Sequence, residues 1–133
     1  MSKLTIRGTD KFGNGAFGAS RDGGARKHEG VDIVTIDGEP FYSLNEGVIS
    51  KLGYVYKGNY TFRYVQVSKN NGEAWRYFYL QPEVELGLKI KVGDKLGVTQ
   101  SLQFKYPGIT PHVHFEIMKN GEYIDPTEFV ENE

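Results

Sequence analysis

The chain alternates apolar and polar residues in short runs, each closed by a turn signal, and no window sustains a helical period. Val31-Asp32-Ile33-Val34-Thr35 is the first clear run, and Asp37-Gly38 closes it. Residues 41–43 and 48–52 follow. Residues 61–68 and 74–80 flank Asn70-Asn71-Gly72, a hairpin signal. Residues 89–92 lead into Gly93-Asp94, residues 95–99 form a further run, and residues 112–118 end at Asn120-Gly121. This pattern predicts an all-β fold, a compact antiparallel sandwich or open barrel with little or no helix.

Composition narrows the picture. A length of 133 residues fits one domain, and no internal linker or repeat divides it. Nine Tyr and eight Phe suit pleated, half-buried surfaces. Residues 11–30 are glycine-rich and read as one long ordered loop, anchored by Phe12 and Phe17. A formal net charge of −1 offers no electrostatic case for nucleic acid or an acidic membrane. No apolar stretch is long enough to span a bilayer, and residues 1–8 lack the apolar run of a signal peptide. A monomer is expected. The absence of Cys excludes disulfides, thiolate catalysis and Cys-type zinc sites.

The three histidines carry the chemistry. Two form His112-Val113-His114, and the third opens His28-Glu29-Gly30-Val31-Asp32. Residues two apart on a strand share a face, so His112 and His114 project together while Val113, Phe115 and Ile117 face the core. Burying two imidazoles without partners is costly. Asp32 sits in an otherwise apolar strand and needs a cation or donors. One zinc ion answers both demands, because imidazole nitrogens and a carboxylate oxygen are ordinary zinc ligands. Three protein ligands plus water is the catalytic arrangement, with the water pKa lowered to about 7. One histidine is then spare, to act as base or to stabilise charge.

His-x-x-x-Asp followed much later by His-x-His resembles the lysostaphin-type zinc endopeptidases, peptidase family M23. The similarity continues through Gly15-Ala16-Phe17-Gly18, Gly30-Val31-Asp32-Ile33, Gly38-Glu39-Pro40-Phe41-Tyr42-Ser43, Gly47-Val48-Ile49, Lys91-Val92-Gly93-Asp94-Lys95-Leu96-Gly97, His112-Val113-His114-Phe115-Glu116 and Asp125-Pro126. It covers roughly residues 12–129 of a single domain spanning 1–133. The resemblance implies a lysostaphin-like antiparallel fold with one zinc ion on His28, Asp32 and His114, and His112 as a catalytic residue beside it. It also implies hydrolysis of the peptide cross-links of bacterial peptidoglycan. Without a signal peptide, such an enzyme would suit a phage lysis (endolysin) or virion protein, or one released by other means.

One position departs. The family carries Tyr-x-His-Leu where this chain reads Tyr77-Phe78-Tyr79-Leu80, so Tyr79 replaces a second catalytic histidine. The same tyrosine marks a vertebrate leukocyte-derived chemotaxin similar to this family, which binds zinc and is regarded as non-enzymatic. A phenol with an ordinary pKa near 10 is a poor base but a competent donor to an oxyanion. The expectation is an active endopeptidase with His112 as base and Tyr79 as oxyanion donor. The alternative is a non-catalytic, zinc-stabilised binding or signalling module. Among weaker signals, Glu116 would share the His114 face and is either a partner of a ligand or a solvated residue. Trp75, Tyr77 and Tyr79 would share one face, as core or as groove floor. Arg21, Arg26 and Lys27 are solvated charges or contacts for substrate carboxylates. Gly13 to Gly18 matches a nucleotide-loop pattern but lacks a following helix.

Overall fold

The structure is a computed structural model and describes residues 4–8, 14–21 and 26–131. Its strands in chain order are β1 (Ser20–Arg21), β2 (Arg26–Lys27), β3 (Val31–Val34), β4 (Pro40–Tyr42), β5 (Gly47–Tyr56), β6 (Asn59–Ser68), β7 (Glu73–Phe78), β8 (Leu80–Pro82), β9 (Lys89–Ile90), β10 (Lys95–Thr99), β11 (His112–Lys119) and β12 (Glu122–Ile124). The single helix among the described residues, α1 (Thr127–Glu131), follows them. The all-β expectation therefore holds. Among the described residues no helix is long and apolar enough to cross a membrane.

The main sheet is antiparallel throughout, in the order β12-β11-β7-β6-β5-β9, with β3 added to the free part of the β11 edge. A three-stranded antiparallel sheet, β4-β10-β8, covers one face. Period-two patterning explains the core between them. Val113, Phe115 and Ile117 of β11 are fully buried, as their alternation predicts, together with Val65 and Val67 of β6 and Tyr77 of β7. Leu80 and Leu96 enter the same cluster from the smaller sheet. Tyr77 stacks on Phe115 with ring centroids 5.0 Å apart. Its hydroxyl donates to Asn45 Oδ1 at 2.6 Å, so the deepest phenol in the core is satisfied.

Turn chemistry sets the registers. Asn120 and Gly121 both have positive φ, 51° and 86°, as a type I′ hairpin requires, and they join β11 to β12. A second, smaller apolar cluster lies apart from the core. It contains Phe62, Leu102 and Ile109, with Val55, Tyr56, Tyr79 and Tyr106 packed against it.

Alternation fails at the end of β7. Trp75 and Tyr77 are core residues rather than a groove floor, exposed by only 2% and 0%. Tyr79 does not share their face, because β7 ends at Phe78 and Tyr79 adopts φ 75°, outside the strand region. Its backbone is held from both sides: its N–H donates to Arg63 O at 2.8 Å, and its carbonyl accepts from Gln100 N at 2.9 Å.

Candidate metal centre

Sheet register brings the two histidine motifs together. In the β3–β11 ladder His114 stands directly opposite Asp32, and on its other side His114 stands opposite Phe78 of β7. Directly opposed side chains share a face and lie within reach of each other. His28 enters from the turn just before β3. Gly30 permits that turn to lie on β11, since a Cβ there would fall 2.3 Å from Phe115 O.

The result is a tight cluster. His114 Nδ1 lies 3.0 Å from Asp32 Oδ1, His28 Nε2 lies 3.2 Å from the same oxygen, and the two ring nitrogens are 2.9 Å apart. The outer ring atoms fix the tautomers. His28 Nδ1 faces Ala16 O at 3.1 Å, a carbonyl that can only accept, so Nδ1 carries the proton. His114 Nε2 faces Glu116 Oε2 at 3.5 Å, which likewise favours the proton on that side. Nε2 of His28, Nδ1 of His114 and Oδ1 of Asp32 therefore turn lone pairs towards one another. Three such atoms this close need a positive charge among them: in the metal-free protein a proton shared between His114 and Asp32 supplies it, and a metal ion would take that proton's place. Two imidazole nitrogens and a carboxylate oxygen with outer partners on both rings suit zinc. The residues fit the group, and His28, Asp32 and His114 are brought together as expected.

His112 is nearby but differently engaged. Its Nδ1–H donates to Thr110 O at 2.8 Å, which leaves Nε2 as a lone pair 3.5 Å from Asp32 Oδ2. Burial pushes its pKa down, against the pull of Asp32, so the neutral form that can accept a proton is favoured. His114 goes the other way. Burial opposes its charge, but hydrogen bonds to Asp32 and Glu116 outweigh that and raise it to about 9. Burial also works against the Asp32 carboxylate. Hydrogen bonds from His114 and His28 and the charge of His112 nevertheless hold it well below the usual range.

Three features go beyond the sequence reading. Arg7 is buried, and its Nε and Nη2 donate to Asp32 Oδ2 at 3.1 and 3.0 Å. This occupies the carboxylate oxygen turned away from His28 and His114, the one that His112 also approaches. Arg7 arrives because its N–H donates to Asp32 O and Ile6 bridges to Ile33, while Gly15 passes so close that a Cβ would meet Arg7 Cβ at 2.6 Å. A lone Arg in a polar N-terminal stretch carries no periodic signal. Glu116 is buried rather than solvated. It meets Arg76 at 3.6 Å as well as His114, which decides for the partner role. Finally, Tyr79 stands with its ring perpendicular to His112, centroids 5.7 Å apart, and its hydroxyl lies 2.8 Å from that of Tyr56.

Other candidates resolve differently. Glu29 is exposed, its carboxylate bonded to Tyr123. Phe17 packs on the core as expected of an anchor. Phe12 and the side chains of Arg21, Arg26 and Lys27 lie outside the described residues.

The sequence model of peptidase family M23 matches residues 26–126, most of the chain and all four site histidine and aspartate positions. The chain belongs to peptidase family M23. Three relatives of this M23 chain span different contexts. Myeloid protein 1 of Gallus gallus is 34% identical over 95% of the chain, which spans only 38% of that protein's length. Leukocyte cell-derived chemotaxin-2 of Bos taurus is 34% identical, with 97% and 82% of the two chains covered. The peptidoglycan DD-endopeptidase ShyC of Vibrio cholerae is 30% identical over 78% of the chain, which spans 23% of that enzyme. Among solved structures, the catalytic domain of the antimicrobial peptidase lysostaphin from Staphylococcus simulans superposes with a TM-score of 0.68 at 25% identity, covering 88% and 90% of the chains. The M23 fold is thus lysostaphin-like, and the His-Asp-His cluster occupies a metal-dependent family's chain.

Proposed function

We propose that the chain is a zinc-dependent endopeptidase that hydrolyses the peptide cross-links of bacterial peptidoglycan. The observation that carries this is the convergence of three possible ligand atoms from His28, Asp32 and His114 with Nε2 of His112 beside them. The bacterial relative that acts on peptidoglycan and the likeness to lysostaphin support the substrate class. Zinc bound by these ligands would activate the attacking water and polarise the scissile carbonyl.

The chain's own residues supply the rest. His112 accepts the water proton at Nε2, because Nδ1 is committed to Thr110 O. Thr110 O then stabilises the imidazolium that forms. Tyr79 donates its hydroxyl proton to the developing oxyanion. Arg7 and Glu116 hold Asp32 and His114 in place from outside. The enzyme acts as a monomer on bacterial wall material.

A second reading, a zinc-stabilised module that recognises a ligand without cutting it, is favoured by the likeness to the chemotaxin. Metal content and cleavage of a cross-linked wall peptide separate the two in the wild type, Asp32→Ala and His112→Ala. The wild type is expected to bind one zinc and cleave. Asp32→Ala should lose both. His112→Ala should keep the metal and lose about 10²–10⁴ in rate. Stoichiometric zinc with no cleavage across a broad peptide panel would favour the module instead.

A further inference from the structure

Tyr79 is part of a hydrogen-bonded row of three phenols. Tyr56 Oη lies 2.8 Å from Tyr79 Oη and 2.7 Å from Tyr106 Oη. The three come from separate segments. Tyr56 ends the long strand β5, Tyr79 occupies the break between β7 and β8, and Tyr106 lies in the segment before β11. Phe62, Leu102 and Ile109 support all three from behind, and Phe62 meets Tyr79 edge-on at 5.7 Å. The Tyr79 backbone sits at φ 75°, a conformation costly for a bulky side chain, and such strain persists only where surrounding structure enforces it. Lys105 Nζ lies 4.5 Å from the Tyr56 ring centroid and 5.6 Å from that of Tyr106.

Each hydroxyl has one proton, and each link uses one. For Tyr79 to give its proton to a substrate, its oxygen must accept from Tyr56, and Tyr56 must accept from Tyr106. We propose that Tyr56 and Tyr106 are positioning residues that run this row towards Tyr79 and leave its proton free for the oxyanion. A row so directed polarises each member in turn. The partial negative charge that Tyr79 gains on donating spreads back onto Tyr56 and Tyr106, whose rings face the Lys105 cation. Burial pushes the Tyr56 and Tyr79 phenols up, so both stay protonated across the working range. This role rests on the endopeptidase reading and on Tyr79 as its oxyanion donor.

The test is a double-mutant cycle on the zinc-loaded protein, read as kcat and KM for a soluble cross-linked wall peptide, with zinc content and melting temperature measured alongside. Tyr56→Phe keeps the ring and its packing and removes only the link. Its kcat should fall about tenfold, the scale of one neutral hydrogen bond, with KM and zinc content unchanged. Tyr106→Phe, one link further away, should lose several-fold in the same parameter. Once Tyr79→Phe has removed the donor, adding Tyr56→Phe should cost nothing more. Full kcat in Tyr56→Phe while Tyr79→Phe is impaired overturns the row and leaves the Tyr79 role standing. Additive losses in the double variant overturn it too, since they mean Tyr56 acts by itself. Undiminished cleavage by Tyr79→Phe removes the donor reading and the row with it.

Discussion

On one side of the site, Asp32 and His114 rise from adjoining strands of the main sheet over a fully buried core, and His28 joins them from the turn before β3. On the other, Tyr56, Tyr79 and Tyr106 meet from three distant segments over a satellite cluster of three buried side chains. The first side is specified by local spacing and register. His112 and His114 are two apart on a strand, Asp32 is four residues from His28, and one ladder sets Asp32 opposite His114. The second side depends on a backbone irregularity at Tyr79 and on a segment, residues 100–111, that belongs to no strand. Evolution can change chemistry on such a satellite without disturbing the sheet that holds the metal ligands. Tyr79, the position at which the sequence departs from the family resemblance, falls on that side.

Arg7 is the place to break the metal side hardest. Its guanidinium is buried against Asp32, so Arg7→Met leaves a buried carboxylate with one fewer partner. Removing one member of a buried pair costs about 3–5 kcal/mol. Chemical denaturation of the metal-free protein should show a loss of that order. The phenol side, judged by the near-ultraviolet signal of its tyrosines in the folded protein, should be unaltered. A loss below about 1 kcal/mol would mean that the histidines alone hold Asp32.

The smaller effect concerns protons. In the metal-free protein His114 is raised to about 9, above its ordinary value of about 6.5. A raised folded pKa stabilises the protein fully below the unfolded value and ceases to do so as pH passes through about 9. Zinc binding runs in the opposite sense, because the metal must displace that proton. Zinc affinity should therefore tighten about tenfold per pH unit between pH 7 and 9 and level off above. Titration with a competing chelator reads this directly, and a flat profile would deny the proton on His114. Tyr56→Phe should leave the slope alone, which keeps the two sides distinct.

Much of the metal side was legible because strands have a period of two. The same rule placed Val113, Phe115 and Ile117 in the core, and an acid in the otherwise apolar Val31–Val34 run marked Asp32 as needing a partner, which the β3–β11 register supplies. It misled at Tyr79, where continued alternation sets the ring beside Trp75 and Tyr77, while the observed φ of 75° takes it out of the strand. Arg7 and Tyr56 were invisible for another reason. Arg7 reaches Asp32 across 25 residues, and Tyr56 reaches Tyr106 across 50. Only the folded topology brings such pairs together, and neither residue type is unusual in its local context. Glu116 lay between these cases, its face readable from the strand and its burial readable only from the packing of Arg76 and His114 around it.

The central claim is that Tyr79 completes a working peptidase in place of a histidine. Its most direct test is the rate of cross-linked wall-peptide cleavage by zinc-loaded Tyr79→Phe against the wild type, at equal zinc content. Loss of an oxyanion donor predicts a fall of about 10²–10³ in kcat with the metal retained. Equal rates in the two proteins would contradict the account.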